Sequence, residues 1–208
     1  MKTDQQFVIT LNRELGSGGR TLGRLLAERL GVRYYDKAVI EGLIKHFNIP
    51  VEKIEKEKGR PHNWWTSFCD AIVPAPTLDL SDDFGLVTAD KLFRVEKQIL
   101  TEIVDAESCV VAGRTGHFIF RDHPNKLSLF IHASLEYRVQ RVMERQGLSE
   151  EDARKAIARV DTGRENFTKH FSGTSRYDAR CYDLVLNMDK LSGEDAADIV
   201  FDYIRKSE

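Results

Sequence analysis

Apolar residues along the chain fall into two alternating patterns, short runs of strand length and longer stretches with apolar positions three and four apart. Phe7-Val8-Ile9-Thr10-Leu11 predicts a first strand. Leu22, Leu25, Leu26 and Leu30 predict a helix over residues 21–30 that stops at Gly31. Residues 32–35 predict a second strand. Val39, Ile40, Leu43, Ile44 and Phe47 predict a helix ended by Pro50. The alternation resumes with Leu92, Ile99, Leu100, Ile103 and Val104 on one helix. It continues with strands at 109–112 and 127–131, and with charged helices over 135–146 and 150–169. Ser149-x-x-Asp152 is a capping-box pattern at the start of the second of these. Residues 183–187 predict a last strand. Ser192-x-x-Asp195 opens a final helix with Ala196, Ile199, Val200, Tyr203 and Ile204 on one stripe. Strand and helix in regular alternation predict an α/β fold on a parallel sheet.

Residues 51–90 break this rhythm. Pro61, Pro74 and Pro76, both tryptophans and an acidic turn at Asp82-Asp83 mark a partly helical excursion with its own small packing. There is no internal repeat and no low-complexity stretch.

Composition narrows the class. Over 208 residues, 31 Lys+Arg against 33 Asp+Glu leave a net charge of −2, which argues against a basic nucleic-acid coat. No apolar run approaches the roughly 20 residues of a membrane span, and the N-terminus does not read as a signal peptide. Cys69, Cys109 and Cys181 are odd in number and lack metal or disulfide spacing, the pattern of reduced thiols in a cytoplasmic protein.

Candidate chemistry starts after the first strand. Glu14-Leu15-Gly16-Ser17-Gly18-Gly19-Arg20-Thr21 joins strand to helix, the setting of a phosphate loop. Small residues let backbone N–H groups converge on phosphate oxygens. Against G-x-x-x-x-G-K-[ST], Glu14 stands at the first glycine and Arg20 at the lysine, while Gly19 and Thr21 fit. Arg20 keeps the positive charge as a planar fork, and Thr21 offers a hydroxyl to Mg²⁺. Asp36 ends the second strand, where α/β sheets place ligand groups; it is a binding residue or a helix cap. Arg114, after Gly113 at the end of the third strand, is placed to clamp phosphate. Arg159, Asp161 and Arg164 precede the looser Ser172-Gly173-Thr174-Ser175, the makings of an arginine-bearing lid. The other basic residues from Arg154 to Arg180 read as a solvated face. Trp64-Trp65 reads as a small core or a subunit contact more than as a base-stacking platform.

In this order, residues 9–20, Tyr34-Tyr35-Asp36-Lys37, Val110-Val111-Ala112-Gly113-Arg114, Asp161-x-x-Arg164 and residues 182–187 resemble the cytidylate kinase-like family of P-loop proteins. The resemblance covers nearly the whole chain and is weakest over 50–90. It implies a single nucleoside-monophosphate kinase domain over 1–208. That domain would have five parallel strands, a monophosphate-binding insertion at about 37–90 and a lid at about 158–180. It also implies transfer of the γ-phosphoryl of ATP, with Mg²⁺, to CMP or a similar monophosphate. Asp36 would then lie near the acceptor's sugar, Arg164 on its phosphate, and Asp161 between lid and substrate. Thr115 stands where cytidylate kinases carry an aspartate. The expected site is therefore Gly16, Ser17, Gly18, Gly19, Arg20 and Thr21 for the donor, with Asp36, Arg114, Arg159, Asp161 and Arg164 for acceptor and lid. Two alternatives stand beside it: a nucleotide-binding regulator with little turnover, and a kinase for another small acceptor. The expected partner is a small nucleotide, with a homodimer possible.

Overall fold

The computed structural model describes residues 1–36, 89–113 and 115–207, with side chains omitted at 89–92 and 95. The helix expected over 39–47, Trp64-Trp65, Cys69 and Arg114 lie outside these residues, as does all of the expected insertion except 89–90. By its contacts the chain divides into two compact units, Met1–Asp36 with Ile103–Glu208, and Lys37–Glu102. The sheet and the glycine loop belong to the first unit.

Its elements are β1 (Val8–Arg13), α1 (Gly19–Leu30), β2 (Arg33–Asp36), α2 (Ala89–Ala106, which starts in the other unit), β3 (Cys109–Ala112) and the short α3 (Gly116–Ile119). Then come β4 (Lys126–His132), α4 (Leu135–Gln146), α5 (Glu150–Ser172), a 3-10 turn (Ala179–Cys181), β5 (Leu184–Asn187) and α6 (Gly193–Ser207). The strands form a five-stranded sheet in the order β2-β3-β1-β4-β5, every pairing parallel.

Period-two alternation decides what each face of β1 meets. Ile9 and Leu11 point into the main core with Leu22, Leu26 and Ala27 of α1, Leu129 and Ile131 of β4, and Ala197 and Val200 of α6. Thr10 and Asn12 point the other way, where Thr10 Oγ1 donates to Ser128 Oγ at 3.1 Å and Asn12 Nδ2 to Tyr182 Oη at 2.9 Å. Helices start and stop on local chemistry. Ser134 and Ser149 cap α4 and α5 by accepting from the amides of Tyr137 and Asp152, and Gly31, Gly147 and Gly173 end α1, α4 and α5 in the left-handed region. The last charged helix runs through Ser172, three residues beyond the predicted end. α4 and α5 pack through Val139, Val142, Ala153 and Ile157, with Leu15 of the glycine loop against that cluster.

Candidate active site at the carboxyl ends of the strands

The loop between β1 and α1 is fastened from several sides. Glu14 N donates to Ile131 O at 3.0 Å, while Ser17 Oγ reaches Glu14 O at 3.0 Å and Ile131 O at 3.1 Å. Leu15 N donates to Asp161 Oδ1 at 3.0 Å. Gly16 and Gly18 have φ of 85° and 89°, where a side chain is strained. At Gly16 a Cβ would also lie 2.7 Å from the Arg138 carbonyl, so only glycine lets the loop approach α4 this closely. Gly18 is the N-cap of α1, and no side chain caps that end. Its amides and the positive end of the helix dipole face the site.

The expected residues are placed as follows. Arg20, about half exposed, lies with Nε 3.3 Å from Oδ2 of buried Asp36 at the end of β2. Thr21 is exposed, and its Oγ1 accepts from Arg145 at 3.2 Å. Asp161 is buried and holds Arg138 Nη1 at 2.6 Å, with Arg164 Nη1 at 3.5 Å and Arg176 Nη1 at 3.7 Å from its other oxygen. Arg164 also donates to the Arg13 carbonyl at 3.0 Å. Burial, with Arg13 and Arg176 adding repulsion, pushes Arg164 down to about 10. Arg159 is exposed, and no described contact ties it to this group. At the β3–α3 turn, next to Arg114, Thr115 has φ 55°, alone among described non-glycine residues in a positive value.

Several residues that the sequence pattern leaves without a role belong to the site. Arg138, Arg141 and Arg145 stand one or two turns apart on α4 and face the loop. Arg138 meets Asp161, with its Nε 3.4 Å from Glu14; Arg141 Nη2 lies 3.7 Å from a Cβ built at Gly18; and Arg145 meets Thr21. The i, i+3, i+7 spacing is readable in sequence, on a stretch that reads there only as a charged helix. Arg176 corrects the solvated-face reading of the run from Arg154 to Arg180. It is fully buried, donates to the Arg13 carbonyl, and lies over the rings of Phe130 and Tyr177 at 5.7 and 5.3 Å. Arg13 is buried too, beneath the first turn of α1. Among the described residues, Arg13, Arg20, Arg138, Arg164 and Arg176 thus face only Glu14, Asp36 and Asp161, and this surplus of positive charge suits a polyanion. Among the described residues no cluster of acids, histidines or cysteines could by itself hold a metal ion, and no helix is long and apolar enough to cross a membrane.

This strand order, with a glycine loop between β1 and α1 and basic side chains over its mouth, defines a P-loop kinase. The cytidylate kinase-like family pattern matches residues 8–190, and the chain belongs to that family. It is 25% identical over 193 residues to a cytidylate kinase of Sulfolobus acidocaldarius, covering 92% of this chain and 90% of that protein. It is 26% identical over 195 residues to a cytidylate kinase of Pyrococcus horikoshii, covering 94% and 86%. In fold it is similar to an uncharacterized protein from Eubacterium ventriosum, with a TM-score of 0.72 at 22% identity over 96% of this chain and 99% of that one. A shikimate kinase from Bacteroides thetaiotaomicron has a TM-score of 0.53 at 15% identity, covering 96% and 98%.

Proposed function

We propose that the protein transfers the γ-phosphoryl group of ATP to a nucleoside monophosphate, CMP or dCMP. The observation that carries the reading is the Arg20–Asp36 pair. A cation on the first turn behind the glycine loop meets, at 3.3 Å, a carboxylate at the end of a neighbouring strand. Donor and acceptor sides of a transfer site would thereby share one ion pair. The relatives named cytidylate kinase favour a cytidine acceptor.

Phosphoryl transfer asks a protein mainly for positioning and charge neutralisation. The amides of Gly16 to Gly19 would cradle the donor's terminal phosphates, and Arg20 would leave Asp36 to meet them. Asp36 would then turn to the acceptor's sugar, with Arg114 and Arg164 on acceptor phosphate and Arg159 reaching in from the lid. Asp161 ties the loop backbone to Arg138 and Arg164, so lid helix and loop would move as one. Mg²⁺ usually takes one or two protein oxygens plus substrate phosphates, and the Thr21 hydroxyl suits that role once Arg145 turns to the phosphates. The ion would supply charge neutralisation between donor oxygens.

The test is an acceptor panel with ATP and Mg²⁺, read as ADP release. CMP and dCMP should turn over with kcat/KM at least ~10-fold above UMP, AMP, GMP, shikimate and gluconate. Preference for a non-nucleotide acceptor, or tight ATP binding with no turnover on any acceptor, would replace this reading.

A further inference from the structure

Arg13 is the last residue of β1 and shares its inward face with Ile9 and Leu11, yet it is a cation only 9% exposed. Its side chain runs under Gly19, where a Cβ would lie 2.6 Å from Arg13 Cβ, to Gly113, where a Cβ would collide with Nη1. Two glycines on separate elements thus make room for one guanidinium. That guanidinium forms no hydrogen bond or ion pair with any described residue. Its backbone is engaged instead: the amide donates to Asn12 Oδ1 at 3.0 Å, and the carbonyl accepts from Arg164 and Arg176. Burial, with Arg20 and Arg176 adding repulsion, pushes it below the ordinary arginine range, against the opposing pull of Tyr34 and Asp36.

Tyr34 is in the same condition. Its Oη is sealed from solvent and has no hydrogen-bond partner among the described residues. Tyr34 and Asp36 are two apart on β2 and so project from one face, the face from which Arg20 of α1 reaches Asp36. Arg13 and Tyr34 are each other's foremost electrostatic neighbour. Two donors without a partner among the described residues, one charged, thus lie on the α1 side of the sheet, Arg13 under the first turn of α1 and reaching Gly113, Tyr34 against Gly23 in the second turn. Leaving such groups buried and unpaired is costly, so an anion that completes them would be bound strongly.

We propose that the Arg13 guanidinium and the Tyr34 hydroxyl form a phosphate subsite on the β2–β3 side of the loop, which ligates the phosphomonoester group of the acceptor. The assignment rests on the kinase function proposed for the site. The donor's phosphates are served by loop amides and Arg20, whereas Arg13 lies beneath the loop and points towards Gly113 and Asp36. In this role it is a substrate-contacting residue, and the glycines at 19 and 113 keep its path open.

The experiment is calorimetric titration with orthophosphate and with CMP, the loop first saturated with a non-hydrolysable ATP analogue and Mg²⁺. The proteins are wild type, Arg13→Met, Arg13→Lys and Tyr34→Phe. Arg13→Met should weaken both anions by about 30-fold, Arg13→Lys and Tyr34→Phe by about 3- to 10-fold, with affinity for the ATP analogue held within about twofold. Replacing an unpaired buried cation by an apolar chain of similar length should also raise the melting temperature of the ligand-free protein by about 2–6 °C. A lower melting temperature with unchanged orthophosphate affinity would make Arg13 a structural residue and overturn the proposal. Arg13-dependent binding of orthophosphate without binding of CMP would keep the subsite and remove the cytidylate reading. Phosphorylation of CMP by Arg13→Met at the wild-type KM would do the reverse.

Discussion

Along its lower half, the inward face of β1 presents Ile9 and Leu11 to Leu22 and Leu26 of α1, all of them at most 1% exposed and surrounded by other hydrocarbon. Two residues later the same face presents Arg13, and the layer around it holds Arg20, Asp36, Asp161, Arg164 and Arg176. One strand thus passes from a layer held by close packing to a layer of charges in which, among the described residues, cations outnumber acids. Packing can be fully satisfied within the chain. An excess of positive charge over the described acids, part of it exposed as at Arg20, draws in an anion, so added phosphate should stabilise the upper layer.

The difference predicts how each layer breaks, and the largest effect belongs to Asp161→Ala. It leaves buried Arg138 without its 2.6 Å partner and Leu15 N without its acceptor. Losing one member of a buried pair costs about 3–5 kcal/mol. Urea unfolding should show that loss, and added pyrophosphate should recover part of it by giving the arginines another anion.

In the lower layer, Leu26→Ala removes a side chain with no exposure from the main core. The expected cost is about 2–4 kcal/mol of transfer and cavity energy, with a lower melting temperature. Here the upper layer should be untouched: the melting shift produced by pyrophosphate should equal that of wild type. A smaller shift would mean that the two layers are coupled through α1.

How much of this was legible differs between the layers. The lower one follows from period: the runs at 7–11, 109–112 and 127–131 predicted three central strands to within two residues, because a buried parallel strand must be apolar. The loop was legible for a similar reason, since glycines between a strand and a helix have few other uses. The upper layer was only partly readable. Asp161 looked like a substrate residue, and its bond to Leu15 N joins positions 146 apart in sequence, which no local pattern encodes. Arg176 sat in a run that reads as solvated, yet it is fully buried against Phe130 and Tyr177. Arg13 did leave a signal, because a cation that continues the Ile9, Leu11 alternation of a central strand must be buried.

Acid offers the finest separation of the two layers. The main core cluster contains no acid, lysine, arginine or histidine, so it has nothing to titrate below neutrality. Beside the upper layer, His117 on α3 is 6% exposed, and its ring centroid lies 5.1 Å from that of Tyr182. Burial, helped by Arg176 and Lys126, pushes His117 from 6.5 down to about 4. Between those two values the unfolded chain binds a proton that the folded chain refuses. Stability therefore falls as pH drops from 6.5 towards 4, by about 2 kcal/mol at pH 5. The lowered carboxyls act further down: Asp178, held at about 2 by Arg180, and Asp195, held down by Ser192, lose their contribution only below 3.8. Glu165, lowered by Lys169 and Ser175 against the pull of burial, does so below 4.5. His117→Phe keeps a ring against Tyr182 and removes the titration. It should match wild type within about 1 kcal/mol at pH 7 and exceed it by about 2 kcal/mol at pH 5, read from urea midpoints. Combined with Leu26→Ala the two changes should add at both pH values, because one acts on packing and the other on charge. An acid loss unchanged in His117→Phe would move the titrating group elsewhere in the upper layer.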